Sequence, residues 1–300
     1  MATDKELLSL LKATEKSLKP FVTDEFQKNN AHLLEKYSDQ EIHEVFKYCL
    51  LRPSGKSWSP MWQAMQLIYQ AAFSESYLSR KERFVQVGNY IIHRLPKTLD
   101  PVIYSFGIGT DITFDVKAAS TYGQPIFMYD PTPAVIDFMK EFQDNKLLKF
   151  VPEGVYTEDT TIKFFTHPDK ANSSIYPIHG NQTNFVEVPV KKLETIMREN
   201  GHDRIDILKM DVEGVADKVI EQMIDETPVR PLQIVTEFEV RGIENPITYL
   251  PKIAKLMSKL QAAGYEIFNQ LLTRKASIEL IMVQKSLLSE TKLDVSQGGQ

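Results

Sequence analysis

From Asp100 onward the chain alternates short apolar runs, each ending in Gly, Asp or Pro, with segments of helical periodicity, and no other feature of the sequence constrains the fold as much. Strands joined through crossover helices build a parallel sheet with helices on its faces. The runs predict strands near residues 102–106, 125–129, 148–152, 205–210 and 232–238. After a helix near 247–263, Tyr265 to Phe268 and Ile278 to Gln284 lie too close together for a parallel crossover, so they are expected to pair antiparallel at a sheet edge. A long excursion, residues 157–190, separates the third and fourth strands and offers two further short ones, Thr161 to Phe165 and Phe185 to Val190. Segments of that length are usually functional or disordered.

Residues 1–97 read as a helical N-terminal region. Thr3 with Glu6, Ser38 with Glu41 and Ser79 with Glu82 have capping-box spacing ahead of apolar periodicity, and Ser59-Pro60 opens another helix. This region is expected to serve as a lid, a dimerisation element or a substrate-recognition module. Residues 98–285 form the main domain and 286–300 a polar, flexible tail.

Composition excludes several classes of function. With 42% hydrophobic and 25% charged residues the 300-residue chain is an ordinary globular one. A formal charge of -5 lacks the basic surface that nucleic-acid binding needs, which leaves a small molecule as the expected substrate. The single cysteine, Cys49, cannot close an internal disulfide, and MATDKELLSL has no signal-peptide core, so a reducing cytoplasm is expected. No apolar stretch approaches the roughly 20 residues of a membrane span. The sequons at Asn172 and Asn181 are then chance matches.

Two places carry chemistry. In VIYSFGIGTD, Gly107 and Gly109 form the turn after the first strand, where a backbone free of side chains can approach a ligand closely and helix amides favour polar groups. Asp130 ends the next strand in PIFMYDPTP, 23 residues past Gly107, near the spacing of a ribose-binding acid. Dinucleotide enzymes place a third glycine where Ile112 stands, so the turn suits S-adenosylmethionine better than NAD.

The second place is IDILKMDVEG, whose strand delivers Asp211 and Glu213 to the carboxyl edge of the sheet, with Lys209 on the same side as Asp211. Asp211 either faces the ligand or caps the following helix. PLQIVTEFEV brings Glu237 and Glu239 to the neighbouring edge, about 4.8 Å away, so Asp211 and Glu237 can share a proton or a divalent ion. The metal-free reading is preferred, because the sequence presents no third ligand. His167 and His179, in the excursion, are candidate general bases or plain surface residues.

Two other segments only imitate binding motifs. Gly55-Lys56-Ser57 ends like a phosphate loop, but Leu50 stands where its first glycine belongs. MWQAMQLIYQAAF places Trp62, Met65 and Tyr69 on one packed helix face.

These strings resemble the FkbM family of S-adenosylmethionine-dependent methyltransferases, most closely at IDILKMDVEG and also at SFGIGTDITFD, YDPTP and FVEVPVKKLETIM, over roughly residues 100–285. The resemblance implies the Rossmann-like class I methyltransferase fold, a seven-stranded, mostly parallel α/β sheet with its final strand antiparallel. It implies O-methylation of a hydroxyl on a sugar or small metabolite. It places Phe106, Gly107, Ile108 and Gly109 at the methionine end of the cofactor, Asp130 at the ribose with Pro131 and Thr132 after it, and Glu153, Gly154 and Val155 near the adenine. Asp211, Glu237 and His179 are the candidate catalytic residues. The N-terminal helices match no family motif and offer a homodimer contact. Two alternatives stay open: a nucleoside-binding or interaction protein with the same fold, and an NAD-dependent oxidoreductase, which Ile112 disfavours.

Overall fold

The computed structural model describes residues 74–167, 170–174, 185–212, 214–239, 246–269 and 277–294. The helices expected over residues 1–73 lie outside the described residues. The described chain opens with β1 (Glu75–Ser76), a 3-10 segment (Tyr77–Arg83), and a hairpin of β2 (Phe84–Val87) and β3 (Tyr90–His93). It then alternates β4 (Ile103–Phe106), α1 (Thr113–Tyr122), β5 (Ile126–Tyr129), α2 (Pro133–Met139) and β6 (Leu148–Val151). The excursion supplies β7 (Gly154–Val155), β8 (Thr160–His167), β9 (Lys170–Ser174) and β10 (Phe185–Lys191). The remainder is α3 (Leu193–Glu199), β11 (Ile207–Met210), α4 (Ala216–Glu226), β12 (Gln233–Glu239), α5 (Pro246–Ala262), β13 (Tyr265–Asn269), β14 (Ser277–Gln284) and α6 (Lys285–Asp294).

The main sheet has the order β1-β13-β14-β12-β11-β4-β5-β6. Its seven longer strands form the mostly parallel sheet that the resemblance implied, with β14 antiparallel to both β12 and β13. The two-residue β1 lengthens the edge beside β13. All four residues of β4 (IYSF) and of β11 (ILKM) are buried, as expected for central parallel strands covered on both faces. One face packs Tyr104, Leu208 and Phe238 against α3, α4 and α5. The other packs Ile103, Ile207 and Val235 against the β2–β3 hairpin, α1, α2 and α6.

The sequence reading is corrected at both ends of the domain. Residues 74–97 are not α-helical: the Ser79–Glu82 box falls in the 3-10 segment, and the hairpin follows it. The hairpin belongs to the core because Phe84, Val87 and Ile92 are buried against the sheet. Its turn is fitted to α1, since a Cβ on Gly88, at φ 59°, would stand 2.3 Å from the backbone nitrogen of Phe114. At the other end α6 runs to Asp294 with Leu287 and Leu288 buried, so that stretch is ordered packing rather than a tail. The excursion builds a second sheet, β7-β10-β8-β9, whose β7 follows directly on β6.

His93 anchors the hairpin to β12. Its backbone amide donates to Gln233 Oε1 at 2.8 Å, and Gln233 Nε2 donates to the His93 carbonyl at 3.0 Å. The imidazole is fully buried, with Nδ1 donating to the Arg94 carbonyl at 2.8 Å. Burial, with the charges of Arg83 and Arg80 adding to it, lowers its pKa from 6.5 to about 4. The unfolded chain therefore binds this proton more readily, and the contribution of neutral His93 to stability is complete above pH 6.5 and lost as pH falls towards 4. Urea unfolding should show His93→Phe losing less stability than the parent between pH 6.5 and 4.5, by about 1 to 3 kcal/mol. Equal losses would mean that the imidazole is not kept neutral by the fold.

Candidate active site

Ligands of open α/β sheets gather where the strand order reverses. Here the reversal falls between β4, followed outward by β5 and β6, and β11, followed outward by β12. The turn leaving β4 passes Gly107 at φ 70° and Gly109 at φ 58°. A Cβ on Gly107 would lie 1.9 Å from the Asp211 carbonyl oxygen, so only glycine lets the chain leaving β4 cross the end of β11. The Asp211 amide donates to the Phe106 carbonyl at 3.0 Å and closes the crossing from the other side.

Asp130 braces that turn. Its Oδ2 accepts from the Gly109 amide at 3.0 Å and its Oδ1 from the Thr132 amide at 2.9 Å, with the residue 5% exposed. Each oxygen still has acceptor capacity facing the cavity it lines. The cavity, of about 290 Å³, is close to the lower end of small-molecule clefts. Gly107, Ile108 and Gly109 line it at one end, Pro131, Thr132, Gly154 and Val155 at another. Ile162, Phe164, Val188 and Val190 of β8 and β10 add an apolar wall. The excursion is thus part of the site.

Asp211 and Lys209 line the third side, and Tyr90 reaches them from the hairpin. Its hydroxyl donates to Asp211 Oδ2 at 2.5 Å, and its ring lies edge-to-face on Phe114 at 5.5 Å. Lys209 Nζ stands 5.1 Å from the centre of the ring and donates to the Gly107 carbonyl at 2.9 Å. Burial raises the Tyr90 phenol far above its usual range, and the charges of Asp211, Glu237 and Glu279 push it in the same direction. It therefore keeps its proton and acts as a permanent donor. Asp115, in the first turn of α1, is fully buried and neither carboxylate oxygen makes a well-aligned hydrogen bond. Burial raises its pKa and the charge of Lys209 opposes that rise.

Not every residue singled out from the sequence meets the cavity. Phe106 turns its ring into the opposite core layer, stacked near Tyr104 and Tyr129, and serves the site through its carbonyl alone. Glu153 does not line the cavity and is half-buried in an ion pair with Lys191 at 3.0 Å. Asp211 is no helix cap, since α4 begins at Ala216 with Val215 before it. Glu237 pairs in register with Glu279 and is 9% exposed, but it does not line the cavity; its charge meets that of Asp211 at Tyr90. His179 and Glu213 lie outside the described residues, as do the side chains of His167 and Glu239. Ile112 is buried among the side chains of α1 and the sheet. Among the described residues no group of three His, Cys, Asp or Glu side chains could hold a metal ion. The sequence reading missed Tyr90 and Asp115. A Gly88-Asn89 turn between two apolar runs was the available signal for the first.

The sequence matches the methyltransferase FkbM domain over residues 89–267, more than half of the chain. The chain belongs to the FkbM methyltransferase family. That match begins at the hairpin turn, eleven residues earlier than the repeated strand–helix pattern, and so takes in Tyr90 as well as the Gly107 turn, Asp130 and Asp211. Among solved structures, a methyltransferase FkbM from Methylobacillus flagellatus is 11% identical with a TM-score of 0.41, covering 80% of this chain and 58% of that one. The chain thus spans little more than half the length of that protein. The METTL16 methyltransferase domain is 12% identical with a TM-score of 0.36, covering 88% of this chain and 94% of that one. No curated protein matches the sequence.

The buried charges make a stability test. Lys209→Met removes the ammonium that faces Asp115 and should destabilise the protein by about 2 to 5 kcal/mol. Adding Asp115→Asn should recover part of that loss in chemical denaturation, because the uncompensated charge goes with it. Additive losses would show that the two groups do not interact.

Proposed function

We propose that this protein is an S-adenosylmethionine-dependent methyltransferase that methylates a hydroxyl on a sugar or another small metabolite, in the cytoplasm. The observation that carries the reading is the turn braced by Asp130, which opens with Asp211 onto one cavity at the switch point of the sheet. The residues suit the cofactor. Gly107 to Gly109 offer a backbone without side chains for its methionine end, and the remaining acceptor capacity of Asp130 suits two ribose hydroxyls. Gly154 and Val155, with the apolar wall of β8 and β10, suit the adenine. A side chain at Gly154 would crowd this wall, because a Cβ would lie 3.0 Å from the Val190 side chain and 3.4 Å from that of Pro131. When bound, S-adenosylmethionine supplies a methyl group activated by a sulfonium.

The chain supplies placement and a proton acceptor. Asp211, at the end of β11, is the residue proposed to face the acceptor hydroxyl and take its proton, while the walls of the cavity hold the partners in line. The charge of Glu237 acts on Tyr90 beside that of Asp211. With a net charge of -5 the chain suits a small neutral acceptor better than a nucleic acid. Among the described residues no helix is long and apolar enough to cross a membrane.

Incubating the protein with S-adenosylmethionine and a small-metabolite extract should release S-adenosylhomocysteine in step with a methylated product, and Asp211→Asn should slow the release by at least about tenfold. Retention of the cofactor without release would favour a nucleoside-binding protein. Asp130→Ala should weaken S-adenosylmethionine binding by about 1.5 to 3 kcal/mol in calorimetry. It should also lower the melting temperature, because Gly109 and Thr132 lose their acceptor. Unchanged affinity would remove Asp130 from the ribose site.

A further inference from the structure

We infer that Tyr90, a residue of the hairpin and not of the catalytic sheet, is a positioning residue: its hydroxyl holds the Asp211 carboxylate in the orientation that receives the acceptor. The inference rests on the methyl-transfer reading for Asp211 and adds to it a residue that no strand-end motif contains.

Three contacts leave the Tyr90 side chain little freedom. Phe114 supports the ring edge-to-face at 5.5 Å, Lys209 stands over it at 5.1 Å, and the hydroxyl is bonded to Asp211 at 2.5 Å. The hairpin that carries it is equally constrained. Gly88, two residues before Tyr90, rests against the start of α1 with no room for a side chain, and Gln233 holds the His93 backbone through both of its polar groups. A rigid donor on a rigid support fixes the rotamer of the carboxylate it meets. Asp211 sits past the end of β11, where neither strand pairing nor α4 holds its side chain, so an external partner has to.

The direction of the bond matters. Asp211, Glu237 and Glu279 all act to keep the proton on the phenol, so Tyr90 donates and does not itself take a proton from the acceptor. One oxygen of Asp211 is committed to Tyr90, and the other, on a residue that lines the cavity, remains to take the acceptor hydroxyl. Lys209 ties the arrangement to the cofactor turn, since the ammonium over the Tyr90 ring also holds the Gly107 carbonyl. The acceptor and cofactor halves of the site are thus aligned through one tyrosine and one lysine. Small misalignments at a reacting centre cost about a hundredfold in rate, which is the scale on which such a residue acts.

Tyr90→Phe deletes the hydroxyl and keeps the ring on Phe114 and Lys209. Crystals of the parent and variant with S-adenosylhomocysteine should show Asp211 in one rotamer in the parent, and turned away or split between rotamers in the variant. An Asp211 side chain unchanged in the variant overturns the inference, whatever the enzyme turns over. With an extract fraction that supports S-adenosylhomocysteine release by the parent, the variant should lose about ten- to a hundredfold in kcat. Its melting temperature and its KM for S-adenosylmethionine should stay within twofold or a few degrees of the parent's. Placed on Asp211→Asn, the same substitution should cost less than about twofold, because a residue that acts through Asp211 has nothing left to position. A full additional loss in that background, or an unchanged kcat in the single variant, refutes the role. A parent protein that releases no S-adenosylhomocysteine counts against methyl transfer, and the Asp211 rotamer then decides the Tyr90 contact alone.

Discussion

The close passage of two backbones at the carboxyl edge of the sheet governs everything else in this molecule. The chain leaving β4 crosses the end of β11 with Gly107 against the Asp211 carbonyl, where a Cβ would sit 1.9 Å from that oxygen. Because the crossing is tight, the glycine turn and Asp211 become two walls of one cavity and not two separate loop ends. Asp130 then fixes the far side of the turn through the Gly109 amide, and Lys209 fixes the near side through the Gly107 carbonyl. A buried ammonium is a costly brace. It is tolerated because Asp115, Tyr90 and a carbonyl surround it, each supplying negative charge or electron density where water cannot.

Two elements outside the strand–helix repeat complete the site. The β2–β3 hairpin packs on the same sheet face as α1 and α6, and carries Asn89 and Tyr90 to the rim of the cavity. The excursion folds as a sheet of its own whose β8 and β10 turn apolar side chains towards the glycine turn. Both are held by contacts distant in sequence: Gln233 grips the hairpin 140 residues away, and β10 pairs with β7, which directly follows the central sheet. This arrangement places the hairpin and the excursion around the strand edge, and segments carried outside the regular strand–helix repeat are where one α/β scaffold takes on different ligands.

The central fold was legible because its signals are local. Buried parallel strands such as IYSF and ILKM show as short, mostly apolar runs, and each of the seven expected strands of the main sheet lies within two residues of its place in the structure. The short separation of β13 and β14 announced their antiparallel pairing. The N-terminal side of the domain was misread for the same reason. Ser79 and Glu82 have the spacing of a capping box, yet the burial of Phe84, Val87 and Ile92 against a distant sheet decided for strands.

The sequence by itself determined the sheet, the glycine turn and the acids at the strand ends, since periodicity, turn chemistry and chain direction are properties of neighbouring residues. It determined that Asp130 and Asp211 would stand at the carboxyl edge. Only the tertiary structure decided which side chains meet there: that Glu153 would pair with Lys191, that Phe106 would contribute a carbonyl and not a ring, and that the charges of Glu237 and Asp211 would both meet Tyr90. Tyr90 lies 121 residues from Asp211, and a contact at that separation leaves no periodic trace. It exists because the hairpin is folded onto α1 by burial, and burial is a property of the whole chain.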